Sequence, residues 1–334
     1  MKQTKKQMSF QDFETKEKGI VWTAIDFASN IPVSIYCDSV GIKAPETCYR
    51  SAVISKNARL IGEEYLLNAK HSSIDMSLPI GVFNYSYDIR IKADISNRNL
   101  AEEEVIEKGE TIDLPKYKII KDSFTSVIRS RRSIRKMSGE MLSMEELSSI
   151  LFYGDGVTGK FSFNGDGSLP PTETLGGDYE STLRSAPSGG GLYPIHLYCV
   201  ITNVQGIKKG IYRYLPINHK LQIIRIFDDQ DYEDFLKLAN FGVNIESHNL
   251  GVSIFYIYNL YDNSRKYGDM AMQFAYIEAG EISENIQLTC TALDLAVTDI
   301  GGYEKALTEK FLGIDGLTKH MIHLTIIGKK QEVY

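Results

Sequence analysis

Runs of apolar residues interrupted by polar turns fill the C-terminal two thirds of the chain and predict several β-strands. Segments rich in β-branched and aromatic residues are typical of strands. They are Ile195–Thr202, Gly210–Tyr214, Leu221–Ile226, Val252–Leu260 and Ile322–Ile327. A turn at Pro216–His219 would allow the second and third of these strands to pair.

Helical spacing and capping residues predict four helices between the strands. Asp122 or Ser123 can cap a helix that runs to about Arg131. Ser143 and Glu146 form a capping-box pattern before the apolar positions Leu147, Ile150 and Leu151. The others are a long helix over Asp269–Leu295, with Ala275, Ile282, Ile286 and Leu293 at helical spacing, and a short one over Tyr303–Leu312. Because helices and strands do not alternate one for one, we expect an α+β layered fold and not a doubly wound parallel sheet.

The first 115 residues differ in texture from the rest of the chain. They contain two strand-like segments, Ile20–Ser29 and Val33–Asp38, and a possible helix over Ala58–Ala69. We therefore predict an N-terminal α/β extension over residues 1–115 and a main domain over residues 116–334. Within the main domain, Phe161–Ser185 is polar and rich in glycine, which predicts a long loop that could cover a site.

Composition excludes several classes of protein. The 334 residues include 43% hydrophobic and 24% charged residues, as in a globular protein, and the formal net charge of −6 disfavours general nucleic-acid binding. The cysteines form no C-x-x-C pair and the histidines are scattered, so we expect no metal site and expect Cys199 and Cys290 to be buried thiols. No apolar run is long enough to span a bilayer and no signal core follows the basic N-terminus, so a cytoplasmic location is expected.

The segment Ser130-Arg131-Arg132-Ser133-Ile134-Arg135 has the composition of a phosphate site. Arg131 and Arg135 supply charged donors that can bind an oxyanion in a bidentate manner, and Ser133 adds a neutral donor. The alternative is a solvated connection between two helices, which is the more common role of a charged run.

The segment Ala186-Pro187-Ser188-Gly189-Gly190-Gly191-Leu192-Tyr193-Pro194 predicts a stiff turn that a flat ligand can approach closely. Proline at both ends fixes the backbone, and three glycines leave it open. A flexible loop is the alternative. Combined with the arginine run, this turn predicts a planar, phosphorylated cofactor, and flavin mononucleotide (FMN) fits best.

Lys266-Tyr267 lies between the strongest strand and the longest helix, where we predict a turn. A tyrosine can act as a general acid or base, and a neighbouring ammonium is expected to lower its pKa. The alternative is a surface pair before a helix cap. The nearby spacing Gly154…Gly159-Lys160 imitates a P-loop, but a helix precedes it and no Ser or Thr follows the lysine, so we do not expect a nucleoside triphosphate site.

The order of these motifs over residues 113–328 resembles the nitroreductase superfamily, and within it the SagB-type, azole-forming dehydrogenases. Besides the arginine run and the glycine turn, the resemblance rests on an ordered set of shorter segments. They are Leu114-Pro115, Leu142-Ser143, Glu146-Leu147, Gly210-Ile211-Tyr212-Arg213-Tyr214, Lys266-Tyr267-Gly268, Glu278-Ala279-Gly280, Asn285-Ile286-Gln287-Leu288, Ile300-Gly301-Gly302-Tyr303 and Phe311-Leu312-Gly313-Ile314-Asp315.

The resemblance implies a fold and a cofactor site. The fold would have a central, mostly antiparallel sheet flanked by helices, and FMN would bind non-covalently between the subunits of a homodimer. Arg131, Ser133 and Arg135 would hold the phosphate and ribityl chain, with Lys329 as a further phosphate ligand. Pro187, Ser188 and Gly189 would lie along the isoalloxazine ring, and Gly301 and Gly302 would face it from the other side.

The resemblance also implies an activity. An azoline dehydrogenase would oxidise thiazoline or oxazoline rings of a ribosomally made, modified precursor peptide, working with a cyclodehydratase complex. Lys266 and Tyr267 would be catalytic, with Tyr267 taking the Cα proton as a hydride passes to the flavin. Two alternatives stay open: an NAD(P)H-dependent flavin reductase acting on dehydroamino acids, nitro compounds or quinones, and a non-catalytic scaffold for the cyclodehydratase complex.

Overall fold

The computed structural model describes residues 109–163, 179–239 and 245–331, with isolated positions at 65, 66, 82, 83, 103 and 106. The predicted strands Ile20–Ser29 and Val33–Asp38 lie outside these residues, as does most of the predicted helix Ala58–Ala69. The chain divides into two compact units, residues 1–75 and 76–334. The elements below all belong to the second unit, and the boundary proposed at residue 115 stays a prediction.

An antiparallel sheet of seven strands forms the centre of the second unit. Its order is β1-β6-β5-β4-β7-β9-β8, and every pairing is antiparallel. The strands are β1 (Thr111–Asp113), β4 (Ile195–Ile201), β5 (Gly210–Leu215), β6 (Lys220–Ile226), β7 (Val252–Asn259), β8 (Leu295–Asp299) and β9 (Lys319–Lys329). A separate antiparallel pair comprises β2 (Val157–Phe163) and β3 (Tyr179–Arg184).

Helices cover both faces of the sheet, as expected for an α+β fold. They are α1 (Phe124–Ser130), α2 (Met144–Asp155), α3 (Asp229–Leu238), α4 (Leu260–Tyr267), α5 (Ala271–Ala292) and α6 (Lys305–Leu312). The predicted caps are confirmed: Ser123 caps α1, and Ser143 with Glu146 forms a capping box at α2.

The central strand β7 shows why the sheet needs helices on both sides. Tyr256 and its alternate neighbours pack into the core cluster shared with α2 and α5. Phe255 and Ile257 point to the opposite face and pack with Phe235 of α3 and Leu312 of α6. A strand that is apolar on both faces must be covered twice, which explains its nearly continuous apolar sequence.

Several sequence-based predictions are corrected by the structure. The ends of the predicted loop Phe161–Ser185 are strands, since they belong to β2 and β3, and residues 164–178 between them lie outside the described residues. The two-stranded sheet these segments form is not part of the seven-stranded sheet, so its strands do not need the apolar pattern by which a strand is recognised. The predicted long helix ends at Ala292, because Asp294 has a positive φ of 53° and β8 follows.

Helix α3 escaped the prediction although its start carries a clear signal. Asp228 and Asp231 form a reciprocal capping box there. The apparent P-loop is confirmed as a coincidence, because Gly154 lies in α2 and Lys160 lies in β2, the reverse of the strand-to-helix order that a P-loop needs.

The remaining compositional predictions concern cysteines, membranes and metals. Cys199 and Cys290 are buried free thiols, as predicted, whereas Cys37 and Cys48 lie outside the described residues. In the described ranges no helix is long and apolar enough to cross a membrane. Those ranges also contain no group of three or more His, Cys, Asp and Glu side chains arranged to hold a metal ion.

Candidate functional site

The glycine turn and the Lys-Tyr pair lie against each other. Gly190 and Gly191 have φ values of 68° and 66°, a backbone conformation that side chains strongly disfavour. A Cβ atom on Gly190 would collide with Lys266 Nζ and would lie 2.6 Å from the Tyr267 hydroxyl. The turn therefore needs glycine at this position for two reasons, conformation and contact.

Lys266 and Tyr267 lie at the end of a helix, which corrects the predicted turn. Helix α4 begins directly after β7 and ends at Tyr267, where Gly268 has a φ of 52°. Its buried Asn263 accepts a hydrogen bond from the Tyr258 hydroxyl (2.9 Å) and donates one to the Ala271 carbonyl (2.9 Å). These two bonds fix α4 to the sheet and to the start of α5, so the Lys-Tyr pair is presented from a rigid element.

Tyr267 is partly buried against an aromatic side chain, which the sequence did not indicate. Its ring packs edge-on against Phe274, with 4.7 Å between ring centroids, and Lys266 Nζ lies 5.2 Å from its ring centroid. Burial raises the pKa of Tyr267 above its usual value. The expectation of a lowered pKa is therefore wrong for this structure, and Tyr267 is a neutral phenol at neutral pH.

Ser188 anchors the glycine turn to α5 through a buried carboxyl group. Its hydroxyl donates to Glu278 Oε2 at 2.5 Å and accepts from the backbone N–H of Tyr193 at 2.9 Å. Glu278 Oε1 also accepts a 3.3 Å hydrogen bond from the N–H of Ile195, the first residue of β4. Burial raises the pKa of Glu278 to about 8, so the side chain holds a proton at neutral pH.

A second buried pair lies beside Glu278. Arg184, the last residue of β3, donates to Asp155 Oδ2 at 2.8 Å, and its guanidinium lies 4.4 Å from the centroid of the Tyr193 ring. Burial raises the pKa of Asp155 to about 6, although the charge of Arg184 opposes this shift. The bond between Arg184 and Asp155 thus ties the end of β3 to the end of α2, and the glycine turn begins directly after β3.

The arginine run is an extended segment beside the edge strand β8. Ile134 donates its N–H to the Val297 carbonyl at 2.9 Å, which fixes the segment to the sheet. Arg132 turns back and donates to the carbonyls of residues 129 and 131, at 3.1 and 2.7 Å, so it caps the end of α1. The predicted ligands fall on alternate positions, where Ser133 and Arg135 are exposed and Arg131 is half-buried.

Arg131 is held by a polar side chain of α5. Its Nη1 donates to Gln287 Oε1 at 3.0 Å, and Gln287 Nε2 donates to Asp299 Oδ2 at 2.6 Å. Asp299 ends β8, and Gly301 and Gly302 follow it. Both glycines are exposed, and no described atom lies within 4 Å of the position that a Cβ would occupy on either. This backbone is open to a ligand.

Lys329 is positioned differently from the other predicted phosphate ligands. Its backbone carbonyl accepts from the N–H of Ser138, so it ends β9 beside the segment that follows the arginine run. Its ammonium is bonded to Glu146 Oε1 at 2.8 Å, and Lys118 Nζ lies 3.7 Å from the same oxygen. A role for Lys329 at a phosphate stays a prediction, since in this structure its charge is balanced by Glu146.

The predicted residues thus form two groups at opposite ends of α5. The first, which we call the ring-side group, comprises Pro187, Ser188, Gly189, Lys266 and Tyr267. The second, the phosphate-side group, comprises Arg131, Ser133, Arg135, Gly301 and Gly302. Phe274 contacts the first and Gln287 binds the second, and these positions are about 20 Å apart along the helix axis at 1.5 Å per residue.

Both groups have the chemistry that FMN requires. Guanidinium and hydroxyl donors on an exposed extended segment suit a phosphate. In the glycine turn Pro187 is exposed to solvent, and no described atom lies within 4 Å of the position that a Cβ on Gly191 would occupy. A flat ring can therefore approach the turn closely. Sequence reasoning assigned no role to Phe274, Glu278, Gln287 or Asp299. Two of these residues lie in quoted motifs, but only the fold shows what they bind.

Comparisons with known proteins agree with this architecture. The nitroreductase family profile matches residues 128–329. A protein of Methanocaldococcus jannaschii, MJ1384, which is named as a nitroreductase without an established function, is 26% identical over 224 residues, which are 67% of this chain and 100% of that protein.

Two crystal structures of proteins described as nitroreductases share the fold. One is from Ralstonia eutropha, with a TM-score of 0.51 and 20% identity, covering 67% of this chain and 90% of that chain. The other is from Anabaena variabilis, with a TM-score of 0.51 and 22% identity, covering 68% of this chain and 42% of that chain. At these identities the likeness shows the fold alone.

Gly190 and Gly191 both have a positive φ, but only Gly190 lies against other side chains. Substituting each glycine therefore separates the cost of the backbone conformation from the cost of the side-chain contact. We expect Gly191→Ala to lower the free energy of unfolding by about 1–2 kcal/mol, because only the positive φ disfavours the new side chain. We expect Gly190→Ala to cost more, because its Cβ must also displace Lys266 and Tyr267. Urea denaturation of both variants measures the difference. Equal losses would show that the contact with the Lys-Tyr pair contributes nothing.

The protonated Glu278 predicts a specific pH dependence of stability. Its pKa rises from about 4.5 in the unfolded chain to about 8 in the fold, so the folded state binds the extra proton. This contribution is complete below pH 4.5 and is lost as the pH rises towards 8. We expect the melting temperature of Glu278→Gln to be nearest that of the wild type at pH 5 and to exceed it increasingly up to pH 8.

The comparison with Glu278→Gln removes the titration of this one group. Asp155 also has a raised pKa, but it titrates in both proteins, and Arg184 stays charged throughout the range. Thermal melts from pH 5 to pH 8 measure the effect. A constant difference between the two proteins over this range would contradict the raised pKa.

Proposed function

The chain belongs to the nitroreductase family, and from this membership we propose that it is an FMN-dependent dehydrogenase that oxidises azoline rings. Members of this family are flavin-dependent oxidoreductases. The proposed reaction converts thiazoline or oxazoline rings to thiazoles or oxazoles in a ribosomally synthesised and post-translationally modified peptide. The observation that carries the proposal is the contact of Lys266 and Tyr267 with the glycine turn.

The cofactor would be held by both groups of residues. Arg131, Ser133 and Arg135 would bind the phosphate and ribityl chain, and the open backbone of Gly301 and Gly302 lies next to them in the fold. Pro187, Ser188 and Gly189 would lie along the ring. When bound there, FMN supplies the acceptor for the two electrons that leave the substrate ring.

The chain would act as a homodimer. Along α5, the two residues that meet the ring-side group, Phe274 and Glu278, lie about 20 Å and about 14 Å from Gln287. Two copies would let the ring-side group of one protomer meet the phosphate-side group of its partner. The surface favours this arrangement, because α5 exposes Tyr276 and Ile277 and α1 exposes Phe124 and Ile128. A groove of about 240 Å³ also lies between α1 and the C-terminal half of α5.

Tyr267 would move the proton in this reaction. Oxidation of an azoline requires loss of a Cα proton, and the Tyr267 hydroxyl is the titratable oxygen over the glycine turn. Because burial raises its pKa, Tyr267 needs help to become a base. Lys266 Nζ approaches the same point over Gly190, so its ammonium can stabilise the phenolate. Helix α4 holds both groups in place, which lowers the entropic part of the barrier.

A second candidate is an NAD(P)H-dependent flavin reductase acting on dehydroamino acids, nitro compounds or quinones. The raised pKa of Tyr267 favours it, because a neutral phenol is ready to donate a proton to a substrate that is being reduced. Anaerobic mixing with NADH or NADPH separates the two candidates. Rapid loss of the flavin absorbance would favour the reductase, and a stable spectrum would favour the dehydrogenase.

The partners follow from the proposed substrate. The azoline rings must be made by a cyclodehydratase, so we propose that the chain works with a cyclodehydratase complex and its precursor peptide. The N-terminal segment, residues 1–115, is the proposed contact for the peptide or for these proteins. A non-catalytic scaffold is the weaker reading, because the Lys-Tyr pair and the arginine run are both intact.

Replacing Tyr267 tests the proposed role directly. We expect Tyr267→Phe to slow ring oxidation by roughly 100-fold, because the proton acceptor is lost, and to leave FMN bound. Tyr261→Phe is the matched control, since Tyr261 lies on the same helix and is half exposed. Mass spectrometry of the peptide follows the loss of two hydrogens, and the visible spectrum reports bound FMN. Full activity of Tyr267→Phe would remove this residue from the mechanism.

A further inference from the structure

Asp299 is the centre of a hydrogen-bonded network that ends at the arginine run. Its carboxylate accepts hydrogen bonds from the hydroxyls of Ser283 (2.9 Å) and Thr325 (2.7 Å) and from Gln287 Nε2 (2.6 Å). His323 Nε2 lies 3.4 Å from Oδ1. The network joins α5, β8 and β9, and Gln287 extends it to Arg131.

The chemistry of these groups fixes the direction of every bond. A carboxylate only accepts and a guanidinium only donates. Gln287 can bind both at once in one orientation alone, with Nε2 towards Asp299 and Oε1 towards Arg131. The buried amide therefore transmits the position of the carboxylate to the guanidinium. One bond to Gln287 leaves Arg131 further N–H donors for a ligand.

We propose that Asp299 is a positioning residue for the phosphate of the cofactor, acting through Gln287 to hold the Arg131 guanidinium in place. This inference rests on the proposed binding of FMN and deepens it. Asp299 touches neither substrate nor cofactor in this scheme. It fixes the side chain that does, and it does so from the strand that leads directly into Gly301 and Gly302.

The environment of Asp299 suits this role. Burial alone would raise its pKa, but the neighbouring His323, Thr325 and Ser283 outweigh burial and hold the pKa below its usual value. The residue therefore keeps its negative charge at neutral pH. The negative charge of Asp299, on the far side of Gln287 from Arg131, also partly balances the positive charge of Arg131 when no anion is bound. The guanidinium therefore keeps its position in the absence of a ligand.

A purely structural role makes a different prediction. Asp299 also ties β8 to α5 and β9, and loss of that support would loosen the whole binding region. A structural defect would weaken the binding of any flavin. A positioning defect at Arg131 would weaken only a flavin that carries a phosphate. Riboflavin has the same ring and ribityl chain as FMN but no phosphate, so the two ligands distinguish the roles.

The test is Asp299→Asn in the full chain after removal of bound flavin. The hydroxyls of Thr325 and Ser283 would orient the new oxygen towards themselves, which turns the new NH₂ group towards Gln287. The Gln287 amide must then reverse and present its own NH₂ to Arg131, so the bond is lost. We expect the Kd for FMN to rise about tenfold and the Kd for riboflavin to stay within about twofold, as measured by flavin fluorescence.

Three controls make the result decisive. Asp294→Asn removes the same charge one residue before β8, where Asp294 pairs with Lys330 on the surface, and should leave both Kd values unchanged. In an Arg131→Ala background, Asp299→Asn should have no further effect on FMN binding. If Asp299→Asn does not fold, as judged by circular dichroism, Gln287→Met breaks the same relay from the other side and should show the same selectivity.

The outcomes separate this inference from the proposed function. A wild type that binds neither flavin overturns both. A wild type that prefers FMN, with variants that lose FMN and riboflavin equally, overturns the positioning role and leaves the proposed function standing. Unchanged FMN binding in Asp299→Asn or Gln287→Met, or additive effects with Arg131→Ala, does the same. Selective loss of FMN that disappears without Arg131 supports the proposal.

Discussion

The packing of helix α5 against the central sheet is the constraint on which both halves of the site depend. Near its start, Phe274 packs against Tyr267 and lies 3.5 Å from where a Cβ on Gly189 would be, and near its end Gln287 binds Arg131. Ile282 and Ile286 between them are fully buried in the core shared with α2, so the helix cannot shift without opening that core. The spacing of the two groups is therefore set by the rigid helix α5, in which Phe274 and Gln287 are about 20 Å apart.

Two carboxyl groups, Glu278 on this helix and Asp299 bonded to it, show how burial and hydrogen bonding compete to set protonation. Glu278 receives two hydrogen bonds, lies beside the negative Asp155, and is so deeply buried that its pKa rises to about 8. Asp299 is less buried and receives bonds from two hydroxyls and an amide beside His323, so its pKa falls. A neutral group thus supports the turn that would meet a flat ring, and an ionised group supports the guanidinium that would meet a phosphate.

The position of Lys266 and Tyr267 is set by helix α4, which carries them. Asn263 bonds α4 to β7 and to the start of α5. Gly190 leaves space for the side chains of Lys266 and Tyr267 because glycine has no side chain. The same burial that fixes Tyr267 also keeps it protonated. In the proposed dehydrogenase Tyr267 would accept a proton with the help of Lys266, whereas in a reductase the neutral phenol would donate one.

The sequence by itself determined the α+β class, the capped helices α1 and α2 and most strands of the sheet, and it supplied the residues of the proposed phosphate and ring site. These follow from short-range patterns: capping boxes, apolar alternation, and glycines or arginines at fixed spacing. It misjudged the β2–β3 pair, the helical setting of Lys266 and the pKa of Tyr267. It also gave no role to Glu278, Gln287 or Asp299. Those features depend on burial and on partners distant in the chain, such as Ser188 with Glu278 and Arg131 with Gln287. Only the tertiary structure brings such groups together, because desolvation and hydrogen-bond geometry are properties of the folded environment and not of the local sequence.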